Sequence, residues 1–161
     1  RLAKLDRETC PGIIQAGDDE TPYYTNSTQL PVDYTSDIFE TLDLQDELQQ
    51  RYTGGTVLHL YLGESLPDQQ TAGALIRNIF ENYRLPYISL TPTFSICPSH
   101  GYLTGEQPVC PVCGKETEIW SRVVGYLRPV RDFHQGKKRE YADRVKYELP
   151  EEAVANHPVY G

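Results

Sequence analysis

Four potential metal ligands in the second half of the sequence form the pattern that most clearly suggests chemistry. Cys97 and His100 are separated by two residues, as are Cys110 and Cys113, and nine residues lie between the two pairs. A two-residue spacer allows a tight turn to direct two donor atoms at one ion, and tetrahedral Zn²⁺ takes four such donors. Prolines and glycines beside the pairs favour these turns. We therefore predict one zinc ion bound by these four side chains.

The donor set also indicates what kind of site this is. Three cysteines and one histidine, with no obvious carboxylate ligand, favour a closed structural site over a catalytic one. Paired C-x2-C turns bind metals more often than they form disulfides in a chain of intracellular character. The alternative is chance clustering, with His100 an ordinary surface residue. The fourth cysteine, Cys10, stands apart, and we assign it no role.

A single glycine shortly after the predicted zinc site raises a second chemical question. Gly125 interrupts the strand-like run SRVVGYLRP, residues 121–129. Glycine in the interior of a strand weakens the strand and contributes no side chain to packing. Either the backbone bends at this residue, or the absence of a side chain is itself chemically important.

Composition and charge limit the classes of function that fit. With 161 residues, 39% hydrophobic and 24% charged, the chain suits one globular domain. Its apolar runs are too short to cross a bilayer, so we expect a cytoplasmic protein without membrane contact. The formal net charge is −8, although residues 115–146 carry nine basic and five acidic side chains. That local patch is weak support for nucleic-acid binding, and a solvated surface is the commoner explanation.

The elements that must position these residues are predicted from hydrophobic periodicity. Residues 1–35 are rich in turn formers and predict a long irregular segment. Helices are predicted over 37–52 and 67–84, and strands over 56–62 and 87–93, which together predict a parallel βαβ unit. The predicted apolar helix faces are Ile38, Leu42, Leu48 and Tyr52 in the first, and Ala72, Leu75, Ile76, Ile79, Phe80 and Tyr83 in the second.

Four segments carry a resemblance to a known family. They are YYTNSTQLPV, DLQDELQQRYTGGTVLHLYLGE, FSICPSHGYLTGEQPVCPVCG, and SRVVGYLRPV followed by GKKREYADR. In this order they resemble the C-terminal part of anaerobic (class III) ribonucleoside-triphosphate reductases, over almost the whole chain. The run RVVGY, residues 122–126, is similar to the glycyl-radical signature of these enzymes.

The resemblance implies an α/β fold in three parts. Residues 1–93 would be the terminal part of a ten-stranded α/β barrel. Residues 94–119 would form a small zinc ribbon, and residues 120–161 the glycyl-radical loop and C-terminal tail.

The resemblance also implies roles for individual residues. Gly125 would be the stable radical carrier, and Cys97, His100, Cys110 and Cys113 the ligands of a structural zinc that supports it. Many relatives have four cysteines here, but imidazole is an equally competent zinc ligand. A radical at Gly125 would be delocalised over the flanking amides and could become planar, because no side chain crowds it. The YYTNS segment, residues 23–27, would lie near the substrate, and residues 24–27 are given no individual roles.

The implied activity is the reduction of ribonucleoside triphosphates to deoxyribonucleotides, with formate or a small thiol protein as reductant. Its radical would be generated with S-adenosylmethionine by an iron–sulfur activating enzyme. Such a reductase passes the radical to a cysteine on a finger loop that lies well upstream. No segment here corresponds to that loop, and Cys10 is not in the sequence context expected of that cysteine. The sequence also contains no methionine. We therefore expect part of a larger reductase, a homodimer when complete, that does not act unaided.

Two other functions are kept as alternatives. The chain could be a non-catalytic spare glycyl-radical subunit that replaces a domain cleaved by oxygen. Less favoured is a zinc-ribbon adaptor that binds nucleic acid through residues 115–146. Cleavage by oxygen at Gly125 would exclude the adaptor.

Overall fold

The computed structural model of the protein describes residues 1–26, 28–63, 66, 68–122 and 125–147. Pro67, Ser27 and the tail beyond residue 147, which figure in the predictions above, lie outside these ranges. The described helices are Leu2–Thr9 (α1), Ile38–Gln49 (α2), Gln69–Asn82 (α3) and Gln135–Asp143 (α4), and the described strands are Leu58–Leu62 (β1), Ile88–Pro92 (β2), Phe94–Cys97 (β3), Gly101–Thr104 (β4), Glu118–Arg122 (β5) and Leu127–Pro129 (β6).

A parallel βαβ unit occupies the first half of the chain, as predicted. Strands β1 and β2 pair in parallel, with Leu58 opposite Ile88 and Leu62 opposite Pro92, and α3 forms the crossover. Helix α2 begins after Asp37, whose carboxylate accepts hydrogen bonds from the Phe39 and Glu40 amides. Asp37 is therefore the N-cap itself, not a residue of the first turn.

The core lies between these two helices and one face of the two-stranded sheet. It is formed by Ile38, Phe39, Leu42, Leu58, Leu60, Leu75, Ile79, Tyr83, Leu85 and Ile88. Three residues predicted for the apolar helix faces, Leu48, Ile76 and Phe80, are instead 40% to 51% exposed. On α2 the buried face continues through Gln45 and Gln49, whose side chains hydrogen-bond to each other, so its core side is only partly apolar.

The second sheet follows β2 after a single residue, Thr93. It is antiparallel with strand order β4-β3-β5-β6. Phe94 lies opposite both Thr104 and Trp120, and its ring stacks on the indole of Trp120. Because β3 starts where β2 ends, the zinc-motif strands are tied directly to the βαβ unit.

The first 35 residues are more regular than the sequence predicts. Residues 2–9 form α1, and Ala16 pairs with Tyr23 in an isolated antiparallel bridge. Arg7 anchors the turn that follows, through bonds to the Asp18 carbonyl and the Asp19 carboxylate. The prediction of an irregular segment rests on turn formers between residues 11 and 31. The eight residues of α1 precede these turn formers, so the prediction does not hold for them.

The described strands form two open sheets and no closed one. The edge of β1 that faces away from β2 is partly covered, because Tyr147 makes a parallel bridge to Leu62. A mixed α/β architecture is confirmed, whereas the ten-stranded barrel and the separate zinc ribbon stay predictions. Within the described residues, no helix is both long and apolar enough to cross a membrane.

Helix α4 contains a buried charge cluster on which we base a stability prediction. The Glu140 carboxylate accepts hydrogen bonds from Lys137 and Arg144, and all three side chains are at most 10% exposed. Glu140→Gln should lower the free energy of unfolding by about 3–5 kcal/mol, because two buried cations lose their counter-charge. Glu47→Gln, which breaks the exposed pair between Glu47 on α2 and Arg51 just beyond its end, should cost less than about 0.5 kcal/mol. Equal shifts of the two variants in a denaturant titration would contradict this prediction.

Candidate metal centre and the glycine loop

Two tight turns carry the four predicted metal ligands. Cys97 ends β3, and a turn over residues 98–100 leads into β4, where Gly101 lies opposite Cys97. In the second turn the Cys110 amide donates to the Lys115 carbonyl, and the Gly114 amide donates back to the Cys110 carbonyl. Gly101 and Gly114 have φ of +74° and +68°, a region that disfavours residues with a Cβ. Each glycine therefore closes the turn behind a ligand pair.

The four side chains converge on one point. Their ligand atoms all lie within 4.8 Å of one another. Cys97 Sγ is 3.7 Å from both His100 Nδ1 and Cys113 Sγ, and Cys110 Sγ is 3.6 Å from His100 Nδ1. Zn–S bonds of about 2.3 Å and Zn–N bonds of about 2.1 Å at tetrahedral angles place two sulfurs about 3.8 Å apart, and sulfur and nitrogen about 3.6 Å apart. These three donor distances match the spacing around a tetrahedral zinc ion.

The electrostatics of the cluster favour the thiolate at two of its three cysteines, whereas the pKa of Cys113 and that of His100 are raised. Burial raises the pKa of the Cys97 thiol, but hydrogen bonds from the Ser99 amide and from His100 outweigh it and lower that pKa to about 6. Backbone hydrogen bonds from Cys113 and Val112 likewise lower the pKa of Cys110. The thiolate is the metal-binding form of cysteine, so both buried thiols are prepared to bind a cation.

Gly125 lies in a hairpin connection at the other end of β5. Strands β5 and β6 pair antiparallel with Arg122 opposite Leu127, so residues 123–126 connect them. Gly125 is exposed, and among the described residues a Cβ added to it would meet nothing within 4 Å. The chain reverses between Arg122 and Leu127, and no crowding by the described residues requires a glycine at residue 125.

The metal ligands and Gly125 occupy opposite ends of one strand. Ile96 pairs with Glu118 at the start of β5, next to Cys97, whereas Gly125 follows Arg122 at its end. Strand β5 covers the five residues Glu118–Arg122, a length of about 14 Å at about 3.4 Å per residue, and separates the two sites by at least one strand length. A bound metal would therefore influence the glycine through the β3–β5 pairing and not by contact.

A polar face of the two-stranded sheet meets the base of this hairpin. His59 and Tyr61 on β1 lie opposite Ser89 and Thr91 on β2. The His59 ring contacts Ser89 Oγ at 2.7 Å, and Ser89 Oγ lies 3.4 Å from Thr91 Oγ1. Burial, with Arg122, Arg144 and Lys137 nearby, lowers the pKa of His59 to about 4, so the ring is neutral at pH 7.

Two arginines connect that polar face to the hairpin, and neither was predicted to have a role of its own. Arg122 donates from Nε to Thr91 Oγ1 and from Nη1 to the Gly125 carbonyl, each at 3.0 Å. Arg144 donates to Ser121 Oγ and to the Arg122 carbonyl, and its guanidinium lies 3.9 Å from the centre of the Tyr61 ring. Both arginines lie in segments that carry the family resemblance, SRVVGYLRPV and GKKREYADR, but their long-range contacts leave no trace in local spacing.

The other candidate residues lie apart from both features. Tyr24, in the segment predicted to be near the substrate, hydrogen-bonds to Gln15 and Asp6. Tyr23, Tyr24 and Asn26 line a cavity of about 820 Å³ against the first turn of α4. Cys10 is exposed at the end of α1 and lies outside the metal cluster.

Comparison with known proteins places the chain in a family. The family model described as anaerobic ribonucleoside-triphosphate reductase matches residues 1–147. The enzyme of that name from Haemophilus influenzae is 30% identical, with 91% of this chain and 22% of the relative covered, and the one from Escherichia coli is 27% identical, with 91% and 21% covered. The chain thus spans about a fifth of the length of these relatives.

Solved structures agree with this. One anaerobic ribonucleotide reductase is similar with a TM-score of 0.70 and 26% identity, covering 92% of this chain and 23% of the other. The anaerobic ribonucleotide reductase from Thermotoga maritima, solved with MES in its active site, gives a TM-score of 0.60 at 26% identity, with 83% and 21% covered. With a family model that matches nine-tenths of its residues, this chain belongs to the anaerobic ribonucleoside-triphosphate reductase family.

Proposed function

We propose that this chain is the glycyl-radical and zinc-bearing part of an anaerobic ribonucleoside-triphosphate reductase. Gly125 stores the radical, and Cys97, His100, Cys110 and Cys113 bind a structural zinc. The observation that carries the proposal is the position of Gly125, exposed in the hairpin connection of a chain of this family with its carbonyl oxygen bound by Arg122. Glycine has no side chain that would crowd a planar radical at its α-carbon.

Radical formation at Gly125 requires only the loss of one hydrogen atom. The iron–sulfur activating enzyme, with S-adenosylmethionine as its co-reactant, would take that hydrogen atom from the α-carbon. One unpaired electron would then remain on Gly125, with no change in its charge. This chain's own contribution is to present the α-carbon on an exposed loop and to hold the loop by its base.

Zinc would supply rigidity and not reactivity. When bound, it would close both cysteine turns with four protein ligands and leave no position open for substrate. The β3–β5 pairing then transmits that rigidity along the strand toward the hairpin. The single residue between β2 and β3 supports the predicted limit at residue 93, whereas the limit between 119 and 120 falls inside β5.

The remainder of the reductase chain is the proposed partner. Gly125 is exposed, and a carbon radical needs shelter from water and oxygen, so we infer that the remaining part covers the loop. It would also supply the cysteine that receives the radical and the ribonucleoside triphosphate site, in a homodimeric cytoplasmic enzyme. The spare-subunit alternative shares all the chemistry of Gly125 and differs only in whether that remaining part is a separate chain.

Cleavage of the polypeptide by oxygen tests the proposal, because the site of the cut shows which residue carries the radical. After anaerobic activation with S-adenosylmethionine, a reductant and the activating enzyme, exposure to air should split the chain at Gly125. The C-terminal piece should contain 36 or 37 residues of the present sequence, which mass spectrometry would identify. An intact chain after aeration of a sample that carried the radical would place the spin at another residue and refute the assignment.

A further inference from the structure

The Arg122 side chain makes two contacts that together fix the loop of Gly125. One guanidinium donates to a hydroxyl of the buried sheet, Thr91 Oγ1, and to the carbonyl oxygen of Gly125, both at 3.0 Å. The planar guanidinium presents its donors in a rigid fork, so anchoring one of them orients the other. Arg122 therefore fixes the position of the Gly125 carbonyl relative to β2.

The anchor at Thr91 is itself held firmly. Thr91 is 2% exposed, and its hydroxyl continues through Ser89 Oγ to His59 Nδ1 on β1. The opposite face of the same two strands belongs to the hydrophobic core, which keeps the register of the sheet. A buried hydroxyl in such a series of hydrogen-bonded side chains has little freedom to move with the exposed loop.

A second arginine fixes the backbone from which Arg122 projects. Arg144 Nη2 donates to the Arg122 carbonyl at 3.1 Å and to Glu140 Oε1 at 2.8 Å, and its Nη1 donates to Ser121 Oγ at 3.2 Å. Its side chain is 3% exposed. Arg144, at the end of α4, thus holds the end of β5. The backbone from which the Arg122 side chain extends to Gly125 is therefore fixed in position.

We propose that Arg122 is a positioning residue for the radical, one that sets the orientation of the Gly125 carbonyl relative to its α-carbon. This rests on the function proposed above. Spin on the α-carbon spreads onto the carbonyl only when the two share a plane, and a charge-assisted hydrogen bond to the oxygen favours one such plane. Arg122 acts through Gly125 and contacts no substrate in this role.

The test uses the complete reductase with three variants. Arg122→Met removes both hydrogen bonds at similar side-chain length, and Arg122→Lys restores one donor. Arg128→Met alters an exposed arginine of β6 in the same hairpin and serves as the control. The first readout, made before activation, is amide hydrogen exchange of residues 125–127. The second is the electron paramagnetic resonance spectrum and spin yield after activation.

Arg122→Met should speed exchange at 125–127 roughly 10- to 150-fold, since a hydrogen bond to a charged group is worth about 1.5–3 kcal/mol. Its radical should show a changed hyperfine splitting and a lower spin yield, with Arg122→Lys intermediate and Arg128→Met unchanged. Wild-type exchange together with a wild-type spectrum in Arg122→Met would overturn the proposal. If Arg122→Met does not fold, Thr91→Val removes the anchor at nearly constant volume, and its exchange and spectrum decide in the same way.

The two proposals fail distinguishably. If the unaltered enzyme yields no glycyl doublet, the proposed function fails, whereas the exchange measurement still shows whether Arg122 holds the loop. If the doublet appears and is the same in every variant, the radical assignment stands and the role of Arg122 falls.

Discussion

Replacing Gly125 with alanine is expected to abolish the radical and nucleotide reduction in the complete enzyme while the fold survives. The wild-type signal should be a doublet, because the unpaired electron couples to the one remaining α-hydrogen. Alanine offers a single α-hydrogen and a methyl group that resists planarity. Since Gly125 is exposed and a Cβ would contact nothing within 4 Å among the described residues, stability should change by less than about 1 kcal/mol.

The matched control is Gly73→Ala in α3. Gly73 is exposed, and a Cβ there also meets nothing within 4 Å. Alanine in a helix interior is favoured over glycine by about 1 kcal/mol, so this variant should keep its radical and gain slightly in stability. A doublet of normal intensity in Gly125→Ala would locate the spin elsewhere, and loss of the folded state in that variant would show that Gly125 is structural.

Sequence reasoning succeeded where the determining contacts are local. The βαβ unit followed from apolar runs and their spacing, and the metal cluster from two short turns whose glycines have positive φ. In both cases residues within a few positions of each other set the geometry. The clustering of Cys97 with Cys113, sixteen residues apart, required only that two such turns face each other across one short sheet.

It failed where tertiary contacts decide. Gln45 and Gln49 take the core-facing positions of α2 because each is hydrogen-bonded, while Leu48 is left at the surface. Arg122 and Arg144 were counted as part of a basic surface patch, yet Arg144 is buried against Glu140 and the ring of Tyr61. The partners of these arginines lie on elements as distant as β2 and α4, and no periodicity records them.

Loss of the metal is expected to unfold the β3–β6 sheet selectively. We expect one tightly held zinc per chain, and structural zinc can contribute on the order of 10 kcal/mol to local folding. Cys110→Ser should therefore loosen residues 94–122 without melting the α2 and α3 unit, whose core contains none of the ligands. Because Gly125 continues from the far end of β5, its loop should loosen too, and the radical yield should fall with the zinc content.

Hydrogen exchange compared between residues 94–122 and 38–82 would measure this selectivity, with metal analysis on the same samples. Cys10→Ser is the control, since Cys10 is an exposed thiol outside the cluster and its replacement should leave zinc content and exchange unchanged. Freshly purified protein with well under one zinc and four freely titratable thiols would refute the site. Uniform loss of protection across both regions in Cys110→Ser would instead show that the zinc supports the whole fold, and that the two sheets do not unfold separately.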